Sequence, residues 1–174
     1  MTPATELPYP SEPPRARDEL PSTGPGSLPT IGTRVLARLI DYLIILLPLY
    51  VWLVEPHVKI AGNQFKIDLP AWAQLTTVIV PVVYDFVMVA TFGASIGKML
   101  THLRVVHFID GGRIAPYQAA LRAAIPSVPS FLAYLPGLEL VGLLSPLVYL
   151  SALFDPVYRG LHDKAAGTIV LRTR

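Results

Sequence analysis

Of 174 residues, 52% are hydrophobic and only 15% charged, well below the quarter or so charged in soluble domains. The length fits one domain, and a net charge of +2 without an exposed basic stripe interleaved with aromatics excludes the electrostatic footprint of a nucleic-acid binder. The absence of cysteine excludes a disulfide framework, a thiolate metal site and a cysteine nucleophile.

The charges are confined. Between Asp68 and Lys98 the only formally charged residue is Asp85, and between Arg122 and Asp155 it is Glu139. Apolar runs of that size imply lipid. Residues 1–33 differ: they hold eight of the eighteen prolines with Glu6, Glu12, Asp18 and Glu19, and no apolar block that could serve as a signal peptide. Their composition predicts a Pro-rich, flexible, solvated tail, with a proline-reading protein as the partner it could recruit.

A first span is predicted from about Arg34 to Val54, bent at Pro48, and a second from about Leu69 to Phe92, each long enough for a hydrocarbon core of about 30 Å. Trp52 and Trp72 stand near their outer ends, as in an interfacial aromatic belt. Between the spans, Val58, Ile60, Phe65, Ile67 and Leu69 alternate with polar residues about Gly62-Asn63, a hairpin pattern. After Gly93-Ala94-Ser95-Ile96-Gly97 the segment Leu103 to Ile109 is β-branched and aromatic, and Asp110-Gly111-Gly112 supplies turn chemistry before Arg113-Ile114. A second hairpin is expected there. Residues 119–154 are split by Leu135-Pro136-Gly137 into two apolar halves, which read as a helical hairpin crossing twice. Pro126 and Pro129 make its first arm bent or, alternatively, re-entrant. Gly167 to Leu171 reads as a strand able to pair with Leu103 to Ile109.

Arg15, Arg17, Arg34 and Arg38 precede the first span, Lys98, Arg104, Arg113 and Arg122 follow the second, and Arg159, Lys164, Arg172 and Arg174 close the chain. The opposite connections hold only Lys59 and Lys66, so the positive-inside rule assigns both termini and the middle loop to the cytoplasm. Four crossings, or two plus a re-entrant hairpin, satisfy that orientation.

Arg34, Arg38 and Asp41 fall at i, i+4 and i+7 and share one helical stripe. At helical rise Asp41 lies about 10 Å inward of Arg34 and Asp85 about 12 Å inward of Gly93, so both acids fit one layer. Buried carboxylates at that depth need cations, water or the bundle interior. Arg38 is the nearest cation to Asp41 within the helix. The acids serve either a structural ion-pair network or transport of a small ion or solute. Tyr84-Asp85 is half of an aspartyl-protease motif without its second acid, and His57, His102, His107 and His162 lack metal-ligand spacing. No catalytic residue, cofactor or metal is expected.

Three segments carry a resemblance. Arg34-Val35-Leu36-Ala37-Arg38-Leu39-Ile40-Asp41, then Gly97-Lys98-Met99-Leu100 with Leu103-Arg104-Val105-Val106, then Gly160-Leu161-His162-Asp163-Lys164-Ala165-Ala166-Gly167-Thr168 resemble, in order, the motifs of the RDD family of bacterial membrane proteins. The resemblance makes Arg34 and Asp41 the family arginine and first aspartate, and Asp163 the second, with Asp155 as the other candidate. It implies a polytopic helical domain over 34–174 with a small cytoplasmic β element in a bacterial plasma membrane. The family's function is unsettled, with transport the usual suggestion. The site residues expected are Arg34, Arg38, Asp41, Asp85 and Asp163, with Lys98, Arg104, Asp155 and His162 as additions. A non-catalytic scaffold recruiting proteins through the tail and β element is the alternative.

Overall fold

The computed structural model describes residues 7–61, 64–67 and 69–174. Helix α1, Ile31–Leu49, begins at Thr30, whose hydroxyl oxygen accepts the Thr33 N–H at 3.3 Å as an N-cap. Pro48 sits inside α1, and directly after it the chain widens into a π turn, Tyr50–Val54, and a 3-10 turn, Glu55–His57. The missing N–H of Pro48 disturbs the ladder at the point where the turn changes pitch. Strands β1, Val58–Ala61, and β2, Gln64–Ile67, pair antiparallel. The turn residues Gly62 and Asn63 lie outside the described residues. Helix α2, Ala71–Phe92, ends at Gly93, which takes the left-handed conformation (φ +73°) that lets its N–H close on the Val89 carbonyl.

Both helices are long and apolar enough to cross a bilayer, and only 11% of each apolar window is buried within the protein. Leu39, Leu43 and Leu47 of α1 and Ile79, Val83 and Val87 of α2 all face outward. Apolar surface of that extent is stable in lipid and not in water. Trp52 and Trp72 are exposed at the same end of the pair.

Helix α3, Ile96–Leu100, leads into β3, Leu103–His107, whose partner is β4, Thr168–Arg172, antiparallel with Val105 opposite Val170. The hairpin expected between Leu103–Ile109 and Arg113-Ile114 is not formed. The chain does turn at Asp110, where Oδ1 accepts the Gly112 N–H at 2.9 Å, but Ile114 then packs inward instead of pairing.

The β3–β4 ribbon is covered on both faces. Leu103, Val105 and Val170 pack with Ala37, Val89, Ile114 and Ala119 of the helical layer. Val106, Ile169 and Leu171 point the other way, onto Val157 and Leu20, with Leu7, Tyr9 and Leu28 around them. The segment expected to be a solvated tail is therefore packed from residue 7 onward. Arg172 exchanges backbone hydrogen bonds of 2.9 Å with Gly26 and Ser27, the Tyr9 hydroxyl donates to the Phe108 carbonyl at 2.6 Å, and Arg17 lies 3.8 Å over the Tyr158 ring. Local composition gives no warning of this, because the docking surface is made by a strand about 140 residues away.

The rest of the chain folds back on the spans. Helix α4, Pro116–Ala124, continues through a 3-10 turn, Ile125–Ser127, into α5, Val128–Leu132, with Pro126 and Pro129 at the joints. The return arm joins a 3-10 turn, Glu139–Leu144, to α6, Ser145–Leu150, and a further 3-10 turn, Ser151–Phe154. At the tip, the Tyr134 hydroxyl donates to the Gln74 carbonyl at 2.9 Å, within the first turns of α2. Helix α7, Leu161–Ala166, precedes β4.

Candidate functional site

Asp41 is fully buried, and among the described residues no cation forms a salt bridge with it. Its Oδ2 accepts the Ser95 hydroxyl at 2.6 Å, and its Oδ1 accepts the Gly97 N–H at 2.8 Å and the Tyr84 hydroxyl at 3.0 Å. The Tyr84 oxygen in turn accepts the Ile96 N–H at 3.0 Å. Asp41 and Tyr84 thus satisfy the orphan N–H groups that begin α3, and an acid there also faces the positive end of the backbone dipoles. Gly97 makes the approach feasible: a Cβ would collide with the Ala37 carbonyl and stand 2.9 Å from Asp41 Cγ.

Arg38, the expected partner of Asp41, turns elsewhere. Its guanidinium lies 4.4 Å over Tyr149 and 5.4 Å over Tyr42, and Nη1 stands 3.7 Å from Asp85 Oδ1. Lys98 Nζ approaches the same oxygen at 3.7 Å. Asp85 Oδ1 is buried and has no hydrogen-bond partner among the described residues, so two cations flank it without touching it. Burial pushes the Lys98 ammonium down to about 8, with Asp85 opposing the shift.

Asp163 is the centre of a second cluster. It is fully buried and salt-bridged to Arg122, with Arg34 Nη1 at 3.7 Å, the Thr168 hydroxyl at 3.3 Å and the Gly160 N–H at 3.2 Å. Arg34 also donates to the carbonyls of Tyr158, at 2.6 Å, and Val170, at 3.3 Å, tying α1 to the end of the chain. The Nε atoms of Arg34 and Arg122 are buried without a hydrogen-bond partner among the described residues. His162 is buried edge-on to Tyr149, and burial, aided by Arg122, holds its pKa well below the usual imidazole value, so it is neutral near pH 7.

These two clusters line one cavity of about 320 Å³ between α1, α3, α4, α6 and α7. The predicted residues Arg34, Arg38, Asp41, Asp85, Lys98, His162 and Asp163 all border it. Arg104 and Asp155 do not: Arg104 lies against Gly93, and Asp155 accepts Lys164 Nζ at 2.7 Å and the N–H groups of Val157 and Arg159. Sequence reasoning treated Arg122 as a topological marker only. Its signal was available, since it is the one formal charge between Arg113 and Glu139. Among the described residues no group of histidine and acidic side chains is arranged to hold a metal.

The family model described as "RDD family" matches residues 28–167, from just before α1 to the end of α7. No curated protein and no solved structure matches the chain. The matched range contains every charged residue of the cavity, the first aspartate on α1 and the acid that Arg34 and Arg122 share. By that match the chain belongs to the RDD family, and it is a helical membrane protein.

Proposed function

We propose that this protein is a non-catalytic membrane protein that binds and passes a small charged solute through the cavity bordered by α1 and α6. The single observation that carries the reading is a cavity of about 320 Å³ lined by the Arg38–Asp85–Lys98 group, in which Asp85 Oδ1 has neighbours but no hydrogen-bond donor among the described residues. Charged groups held within a helical bundle without direct pairing suit reversible exchange with a solute or proton better than a locked network. Asp41, saturated by three donors, suits packing. Asp85 and Lys98 are therefore the groups assigned to coupling.

The topology that goes with this reading has four crossings in a bacterial plasma membrane, both termini and the β3–β4 ribbon being cytoplasmic. It is supported by the basic residues gathered at the ribbon end and by the Tyr134 contact to Gln74 near the opposite end. A recruiting scaffold draws less support, because Leu7, Tyr9, Leu20 and Leu28 of the N-terminal segment are already packed on the ribbon.

The test is flux in proteoliposomes across a panel of small cations and anions, wild type against Asp85→Asn and Lys98→Met. The expected result is a pH-dependent flux that both substitutions abolish while Asp41→Asn retains it in proportion to folded protein. Flux indifferent to both Asp85 and Lys98 overturns the reading.

A further inference from the structure

The cavity carries an unbalanced charge. Its described lining includes four cations, Arg34, Arg38, Lys98 and Arg122, against three carboxylates, and one of those, Asp41, is satisfied by neutral donors at the start of α3. The formal balance is one positive charge in excess, and the carboxylates that meet the cations directly are Asp85 and Asp163. His162 adds no charge while it is neutral. Two guanidinium Nε atoms, on Arg34 and Arg122, are buried there without hydrogen-bond partners among the described residues, and Arg122 as a whole is only 3% exposed. Buried guanidinium donors without acceptors call for an anion, and their planar fork matches phosphate oxygens.

The walls are asymmetric. The cationic end lies against α3, α4 and α7, whereas the other end is formed by Val35 and Leu39 of α1, Leu150 of α6 and Leu153 of the 3-10 turn after it, all exposed on the surface that faces lipid. Because these exposed residues of α1 and of the α6 arm line the cavity together, its mouth lies between them, beside the point where Arg38 stacks on Tyr149. A volume of about 320 Å³ lies at the small end of ligand pockets of roughly 300–1,000 Å³. It suffices for a headgroup and leaves acyl chains in the bilayer.

We propose that the cavity binds the phosphate group of an anionic amphiphile entering from the membrane between α1 and α6, with Arg34, Arg38 and Arg122 as its ligands. This rests on the solute-binding reading above and names the class of solute. Arg122 holds Asp163 as well, so its removal risks the fold; Arg38→Gln and a mouth-blocking Leu150→Trp are the informative variants.

The experiment measures the thermal midpoint of the full-length protein in a neutral detergent, titrated with phosphatidylglycerol, phosphatidylcholine or inorganic phosphate. Phosphatidylglycerol should raise the midpoint in wild type, the response should fall at least threefold in Arg38→Gln and Leu150→Trp, and phosphatidylcholine should do little. Equal stabilisation by inorganic phosphate assigns the site to a free anion and overturns the amphiphile. An equal response to phosphatidylcholine, or a phosphatidylglycerol response intact in Leu150→Trp, overturns the site. Phosphatidylglycerol binding without flux of any tested ion leaves the site standing and rejects transport. Ion flux through a protein that binds no phosphate rejects the site and leaves transport standing.

Discussion

Gly97→Ala isolates the contact on which the Asp41 cluster depends. The added methyl meets the Ala37 carbonyl and approaches Asp41 Cγ to 2.9 Å, and both obstacles are backbone or a buried side chain with no room to swing away. Helix α3 must therefore lift from α1. Overpacking of this kind costs about 1–3 kcal/mol. Lifting α3 also stretches the Gly97 N–H and Ser95 hydroxyl bonds to the carboxylate, and hydrogen bonds to charged groups contribute about 1.5–3 kcal/mol each. Partial loss of both sets the expected destabilisation at about 3–5 kcal/mol. The control is Gly32→Ala in the first turn of α1, where a Cβ would meet nothing nearer than Thr30 Oγ1 at 3.9 Å, so the change should be neutral or slightly favourable. Thermal unfolding of the two variants in one detergent, followed by tryptophan fluorescence, gives the comparison. If Gly97→Ala unfolds within about 1 kcal/mol of Gly32→Ala, Asp41 does not hold α3 against α1 and the packing role assigned to it is wrong.

Leu20→Ala should cost about 2–4 kcal/mol and expose residues 7–30 to added protease, because Leu20 is buried against Val106, Ile169 and Leu171; a silent substitution would mean that the segment does not dock. Leu171→Pro should be worse than Val170→Pro, because Val105, opposite Val170, donates to Gly93 instead of the ladder, which makes that pair the non-hydrogen-bonded one; equal costs would contradict the register. For topology, Thr23→Cys and Thr173→Cys should resist an impermeant maleimide in intact cells while Leu138→Cys reacts, and a protected Leu138→Cys would make the hairpin re-entrant. Finally, the folded-state pKa of His162 lies below its unfolded value of about 6.5, so its contribution to stability is present above that pH and is lost as pH falls toward the folded pKa. The unfolding midpoint should drop between pH 7 and 5, and His162→Gln should flatten the slope; an unchanged slope would assign the acid sensitivity to other groups.

Much of the architecture was legible because lipid imposes a coarse rule. Spans such as Ala71–Phe92 stand out by apolar length alone, and the Arg34, Arg38, Asp41 stripe follows from helical spacing. Strand composition also sufficed to nominate Gly167 to Leu171 as a partner for Leu103 to Ile109, because only apolar β-branched runs at one membrane face compete for that pairing. Partner choice within the charged site was not legible. Arg38 lies three residues from Asp41 in sequence, yet α3 occupies the acid with uncharged donors, and the arginine goes to Asp85 on another helix. That exchange depends on Gly97 letting α3 rest on α1, a fact of tertiary packing that neither residue announces. Arg122 escaped for a similar reason: its partner, Asp163, arrives on α7.

The ribbon has a consequence for the order of synthesis. Its second strand, β4, is made after the seven helices described above, and the partners of Arg34 on α1 also come late: it waits for Asp163 on α7 and for the carbonyls of Tyr158 and Val170. The N-terminal segment waits too, since Gly26 and Ser27 hydrogen-bond to Arg172. A nascent chain that has already inserted both long helices still carries an uncompensated arginine and an uncovered strand. Ribosome-bound intermediates should therefore be sensitive to quality-control proteases until β4 emerges, and a truncation at Gly167 should be cleared from the membrane although helices α1 to α7 are present.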